Sequence, residues 1–172
     1  MLKNVRLLLI ACLLGVGLAH AKTPDTCSPA GVAKNKTVVR IVFEEILSRG
    51  RVDENEHIYH PDFVAHGPTG DAGRAEDRAA SKAWRQVAPD LQMKVLRMVG
   101  ECDMVAVHWA GSGTNTGAGN GLPATGKALS NLWGTTIFRL DRGLIREEWS
   151  VFDLYAMLKQ LGLLPADAGA TK

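Results

Sequence analysis

The sequence predicts an α+β domain in which helices come first and an antiparallel sheet follows. Three observations carry that expectation. Val38, Val39, Val42, Phe43 and Ile46 recur at helical spacing early in the chain. From Gln92 onward the period changes to two, most clearly over Met104 to Gly113, where Val105, Val107 and Trp109 share one side. The block from Gly113 to Leu164 then reads in order as a glycine-rich loop, a strand, a short turn, a strand and a closing helix. Helices followed by a meander of strands pack together on one face of the sheet.

The first 21 residues stand apart from this domain. Lys3 and Arg6 precede an apolar run from Leu7 to Leu18, and Ala19-His20-Ala21 is a small-residue cleavage site. Residues 1–21 therefore read as a secretory leader, with a mature chain starting at Lys22 and exported to the periplasm or medium. The apolar run is shorter than the roughly 20 residues of a membrane span, so no span is expected after cleavage. Leu9-Ile10-Ala11-Cys12 also resembles a lipidation signal, but cutting there would leave an apolar region of only about five residues. Residues 22–165 form the domain, and 166–172 read as a loose tail.

Within the domain, Ser28-Pro29 supply the cap and first position of a helix that runs to Ser48-Arg49, with Gly50 beyond its end. Asp53-x-x-Glu56 resembles a capping box for a short second helix, stopped at His60 by Pro61. A brief extended piece follows at Phe63-Val64. Asp71 to Arg74 turns into a third helix, Glu76 to Val87, closed by Pro89. Strands are expected at Gln92 to Val99, Met104 to Gly113, Leu129 to Leu140 and Leu144 to Phe152. Asp153 to Leu161 reads as the last helix, ending at Gly162.

Loss of Lys3 and Arg6 with the leader leaves basic and acidic residues equal in number and no block of like charge. That balance argues against nucleic acid and anionic membranes as partners. Cys27 and Cys102 either form a disulfide, as an even pair in an oxidising compartment does, or remain two separate thiols. No cysteine spacing suggests zinc. His57, His60 and His66 lie close in sequence with Asp62 and Asp71, but Pro61 breaks any ligand spacing; His66 is the best of them for a pocket. Gly111-Ser112-Gly113 lacks the nucleophile-elbow pattern, which excludes a hydrolase triad built there.

The last hairpin carries the candidate site. Read as a three-residue loop with Gly143 left-handed, Asp141-Arg142-Gly143 places Leu140 opposite Leu144, Thr136 opposite Glu148 and Gly134 opposite Ser150. One face then holds Trp133, Ile137, Ile145, Trp149 and Val151. A patch of that size calls for a partner, and a symmetric homodimer through the sheet is expected. The other face holds Thr136, Phe138, Arg146, Glu148, Ser150 and Phe152. It either lines a cavity, with Glu148 able to act as acid or base when burial raises its pKa, or is a solvated face with an Arg146–Glu148 pair.

Several short segments together resemble the SnoaL-like polyketide cyclase (ester cyclase) group of the NTF2-like superfamily. They are Asn35-Lys36-x-x-Val39-x-x-x-x-Glu44-Glu45, His60-Pro61-Asp62-Phe63, Ala88-Pro89-Asp90-Leu91, Gly121 to Lys127, and Ile145-x-Glu147-Glu148-Trp149-x-x-x-Asp153. The resemblance implies an NTF2-like cone: a curved antiparallel sheet with N-terminal helices enclosing a cavity, usually dimeric through the sheet. It also implies ring closure by intramolecular aldol chemistry without metal or cofactor, run by a carboxylate on the last strand with a histidine nearby. At those positions this sequence has Ser150 and Thr136, and Asn115 replaces the histidine often found in the loop strand. Hydroxyls orient a substrate but do not hold a proton near neutral pH.

The catalytic candidates that remain are Glu148, Asp153 and His66, with Thr136, Ser150, Trp84, Trp109 and Phe138 as ligand-binding wall. Three readings stay open. The first is an acid/base enzyme acting on a small, mostly apolar carbonyl or ester ligand. The second is an exported, non-catalytic small-molecule-binding module. The third is an isomerase or epoxide hydrolase on the same cone, since one fold hosts unrelated activities.

Overall fold

The computed structural model describes residues 25–68 and 70–164; the expected leader, its cleavage site before Lys22 and the tail from 166 lie outside the described residues. Among the described residues no helix is long and apolar enough to cross a membrane.

Helix α1, Pro29–Ile41, starts as the sequence predicts: the Ser28 hydroxyl accepts a hydrogen bond from the Gly31 N–H at 3.0 Å, and Pro29 takes the first turn. It continues into a wider π-helical turn, Val42–Leu47, in which the Ser48 N–H returns to the Phe43 carbonyl. Val39, Val42, Phe43 and Ile46 are all buried. Strands β1 (Tyr59–Gly67) and β2 (Gly70–Gly73) then form a hairpin, and α2 runs over Arg74–Val87. The meander β3 (Gln92–Glu101), β4 (Met104–Thr114), β5 (Ala128–Asp141) and β6 (Leu144–Phe152) follows, and α3 (Leu154–Leu161) closes the chain.

The six strands form one sheet in the order β2-β1-β6-β5-β4-β3. The meander and the β1–β2 hairpin pair antiparallel, while β1 joins β6 in parallel, so the sheet is mixed. It curves without closing into a barrel and, with its helices, has the α+β architecture of an NTF2-like cone. The main core lies between α1 with its π-helical turn and the inward residues of the sheet, Val105, Val107, Phe138, Leu140 and Ile145 among them. Each apolar side chain sealed there contributes about 1.5–3 kcal/mol, the largest favourable term available to the fold.

The expected second helix is corrected. Only Glu56–Ile58 makes a single 3-10 turn, and the chain is extended from Tyr59, so His60 and Pro61 belong to β1. Pro61 is tolerated because the β1–β6 register breaks between Tyr59 and Val64, where a strand N–H is not needed.

The hairpin register is corrected as well. Asp141 pairs with Leu144, leaving Arg142 (φ 50°) and Gly143 (φ 82°) as a two-residue turn with both centres left-handed, the hairpin turn whose twist matches its strands. The pairing shifts between Arg139 and Leu140, which makes Arg146 the extra residue of a β-bulge. The net displacement from the predicted register is two residues, so Thr136 faces Ser150 and Phe138 faces Glu148, and the two faces survive. The bulge moves Ile145 off the outer face and into the core, where it is fully buried opposite Leu140.

Cys27 and Cys102 are joined by a disulfide, tying the turn before α1 to the β3–β4 turn. The buried Asn35 side chain donates to the Cys102 carbonyl at 3.0 Å and anchors α1 to the same turn.

Candidate functional site

A cavity of about 180 Å³ opens between the concave face of the sheet, the π-helical turn and helices α2 and α3. Phe43, Tyr59, Trp84, Trp109, Phe138 and Phe152 give it aromatic walls, and its polar residues are Asp77, Ser81, Ser112, Thr136, Glu148 and Ser150. Among the described residues no Lys, Arg or His lines it.

Close packing of β4 on β5 builds the back wall. Trp109 pairs with Gly134, and a Cβ at position 134 would sit 2.5 Å from the indole Cζ2 and 2.6 Å from the Val151 carbonyl oxygen. The absent side chain lets the Trp109 ring lie across β5, where its Nε1–H donates to the Thr136 hydroxyl at 2.9 Å. Thr136 in turn lies 2.8 Å from the Ser150 hydroxyl. The two positions where the family resemblance implies histidine and aspartate are thus a bonded hydroxyl pair, held by an indole donor. Such a chain can orient a ligand oxygen, but it stores no proton near neutral pH.

Glu148 points into the cavity two residues before Ser150. Burial, with repulsion from Asp77 adding to it, pushes its carboxyl up to about 8. Arg146, expected beside it, sits instead on the bulge near Asp62, Asp141 and the His60 ring, all at 3.4–3.7 Å. Among the described residues the carboxyl therefore has no cation beside it to hold it ionised.

Asp77 is the residue that sequence reasoning missed. It stands on α2 in phase with Ala80, Ser81, Trp84 and Val87, all of which line the cavity. A carboxylate on an otherwise apolar stripe at helical spacing is the signal that could have found it. Burial pushes Asp77 up to about 6. Tyr59, buried on β1, completes the group, and burial together with both carboxyls raises its phenol.

The other candidates lie elsewhere. Asp153 is the cap of α3, accepting from the Ala156 N–H at 2.8 Å. His66 stacks on the outward-facing Trp149 with ring centres 4.8 Å apart and lies 3.0 Å from Asp71, so it belongs to the outer surface of the sheet. Trp84, Trp109, Thr136, Phe138, Glu148 and Ser150 all line the cavity. The glycine-rich loop is pinned by fully buried Asn115, which accepts from Thr125 at 2.7–2.8 Å and donates to the Gly117 carbonyl at 2.9 Å. Among the described residues no three His, Cys, Asp or Glu side chains converge as a metal site would require.

The family model for SnoaL-like polyketide cyclases matches residues 37–161. The chain belongs to the SnoaL-like polyketide cyclase family. Solved structures agree on the fold. AclR, a proposed hydroxylase from Streptomyces galilaeus, superposes with a TM-score of 0.70 at 24% identity over 78% of this chain and 99% of its own. TsrD from Streptomyces laurentii gives 0.69 at 26% identity over 77% and 97%. A proposed SnoaL-like polyketide cyclase from Jannaschia sp. CCS1 gives 0.71 at 23% over 80% and 97%. No curated protein matches the chain in sequence. This member of the family keeps the cone and its cavity, with hydroxyls at 136 and 150 and carboxyls at 77 and 148.

Proposed function

We propose that this SnoaL-like protein is an exported acid/base enzyme that acts on a small, mostly apolar carbonyl or ester ligand inside the cone. Glu148 exchanges the proton, and the Thr136–Ser150 pair orients the ligand oxygen. The observation that carries this reading is an unpaired carboxyl, raised to about 8, within an aromatic-walled cavity. A general acid is most effective when its pKa lies near the working pH. The family supports a carbonyl substrate, although structural neighbours with the same cone carry other proposed activities, a hydroxylase among them. The Cys27–Cys102 disulfide supports export, because such bonds persist in oxidising compartments.

The test is turnover of a panel of neutral ketones and esters by the mature protein. Glu148→Gln should lower turnover by about 100-fold or more with ligand affinity nearly unchanged. Full activity in Glu148→Gln moves the role away from this carboxyl. Saturable binding with no turnover in either protein favours the non-catalytic binding module, which hydroxyls at 136 and 150 would suit.

The same reading includes a homodimer through the outer face of the sheet, where Trp133 is 55% and Val151 70% exposed beside Ile137 and Trp149. Trp133→Glu should convert a sedimenting dimer into monomer at micromolar concentration; a wild-type monomer refutes the dimer. N-terminal sequencing of the exported protein should begin at Lys22.

A further inference from the structure

We infer that Asp77 is a second catalytic group: its carboxylate takes a proton from the carbon beside a neutral ligand's carbonyl while the Glu148 carboxylic acid gives its proton to the carbonyl oxygen. This deepens the proposed function and rests on it. Asp77 reaches the cavity from α2 and Glu148 from β6, so the two approach a bound ligand from different walls. Among the described residues no basic side chain lines the cavity beside either carboxyl. Tyr59, only 8% exposed, lines the same cavity. A ligand seated among these aromatic walls meets both carboxyls and the phenol together.

The chemistry balances within the protein. The ligand C–H bond breaks toward Asp77, its electron pair becomes the C=C bond, and the carbonyl π pair moves to oxygen, which takes the Glu148 proton. The enol forms, Asp77 becomes the acid and Glu148 the carboxylate, and the reverse transfer restores both. No outside oxidant or cofactor enters. Among the described residues no Lys, Arg or His lines the cavity, and two carboxyls do, which disfavours carboxylates and phosphates and leaves neutral ketones and esters as the fitting carbonyl ligands.

Environment separates the two roles. Burial raises both carboxyls and the charge of Asp77 raises Glu148 further, so while the pair holds one proton Glu148 is the acid and Asp77 the base. The other titratable or charged groups around them are Tyr59 on β1 and, on the far side of Asp77, Glu56, Arg74 and Arg78. Those last three are occupied with one another, with Glu56 3.5 Å from Arg74 and 2.7 Å from Arg78.

The experiment follows deuterium uptake at the α carbons of 2-tetralone, a neutral bicyclic ketone, by proton NMR in D2O across pH with the mature protein. Wild type should accelerate exchange with a bell-shaped pH profile. Asp77→Asn should lower it by about 100-fold and erase the acid-side limb, while Glu148→Gln erases the alkaline limb. Formate should restore exchange to Asp77→Ala, a result that a merely misfolded variant cannot give. Wild-type exchange in Asp77→Asn with loss in Glu148→Gln overturns the role of Asp77 and leaves Glu148 as the lone acid/base. No acceleration by wild type, or equal rates in all variants, overturns this inference and the enzyme reading together.

Discussion

Replacing Glu148 by Gln keeps the shape of the side chain and removes its charge, so it isolates the cost of ionising a carboxyl inside the cone. The ordinary value is 4.5, and burial with repulsion from Asp77 pushes the folded value up to about 8. The folded protein holds this proton more tightly than the unfolded chain does. Its stabilising contribution is full below the unfolded value and is lost as pH rises through the folded one. The displacement corresponds to roughly 5 kcal/mol as an upper bound. Relaxation and water entry into a cavity reduce this, and about 2–4 kcal/mol is expected. Urea denaturation reads the difference directly. At about pH 4, below the unfolded value, the wild type and Glu148→Gln should unfold together, and at about pH 9 the variant should be the more stable. With a slope of about 2 kcal/mol per molar urea, the midpoints should separate by about 1–2 M at the higher pH. Parallel pH profiles for the two proteins would show that Glu148 meets water freely and is not raised by burial.

Two further outcomes test the frame around the site. Closing a loop across 75 residues of sequence separation limits the unfolded chain, so Cys27→Ser with Cys102→Ser should lower stability by about 4 kcal/mol by chemical denaturation. An unchanged midpoint would show that the bond does not form in solution. Gly134→Ala should cost roughly 1–3 kcal/mol and displace the Trp109 ring, seen as a shifted indole fluorescence, because the added carbon has no room beside Cζ2. Unaltered stability and emission would mean that the β4–β5 packing is looser than described.

The chain by itself determined the first helix and its cap, the four strands of the meander, the closing helix, the two faces of the last hairpin and the family. Each of these rests on local rules: helical spacing through Val39 to Ile46, alternation through Val105 to Trp109, Ser28 as a cap and Gly162 as a stop; that Asp153 caps α3 came from the structure. Thr136, Phe138, Glu148 and Ser150 were legible as one face because period-two alternation survives a register shift of two, and Trp84 and Trp109 meet them from α2 and β4. Only the tertiary structure decided the rest, since it depends on contacts between segments far apart in sequence. The parallel seating of β1 on β6 turned the expected second helix into a strand and carried His66 to the outer surface against Trp149. The bulge at Arg146 turned Ile145 inward and drew the guanidinium away from Glu148. Asp77 reads as an ordinary helix carboxylate until α2 docks across the sheet. Its depth in the cavity, and its effect on Glu148 across the gap, come from that packing, because desolvation and repulsion are set by distance in space and not by distance along the chain.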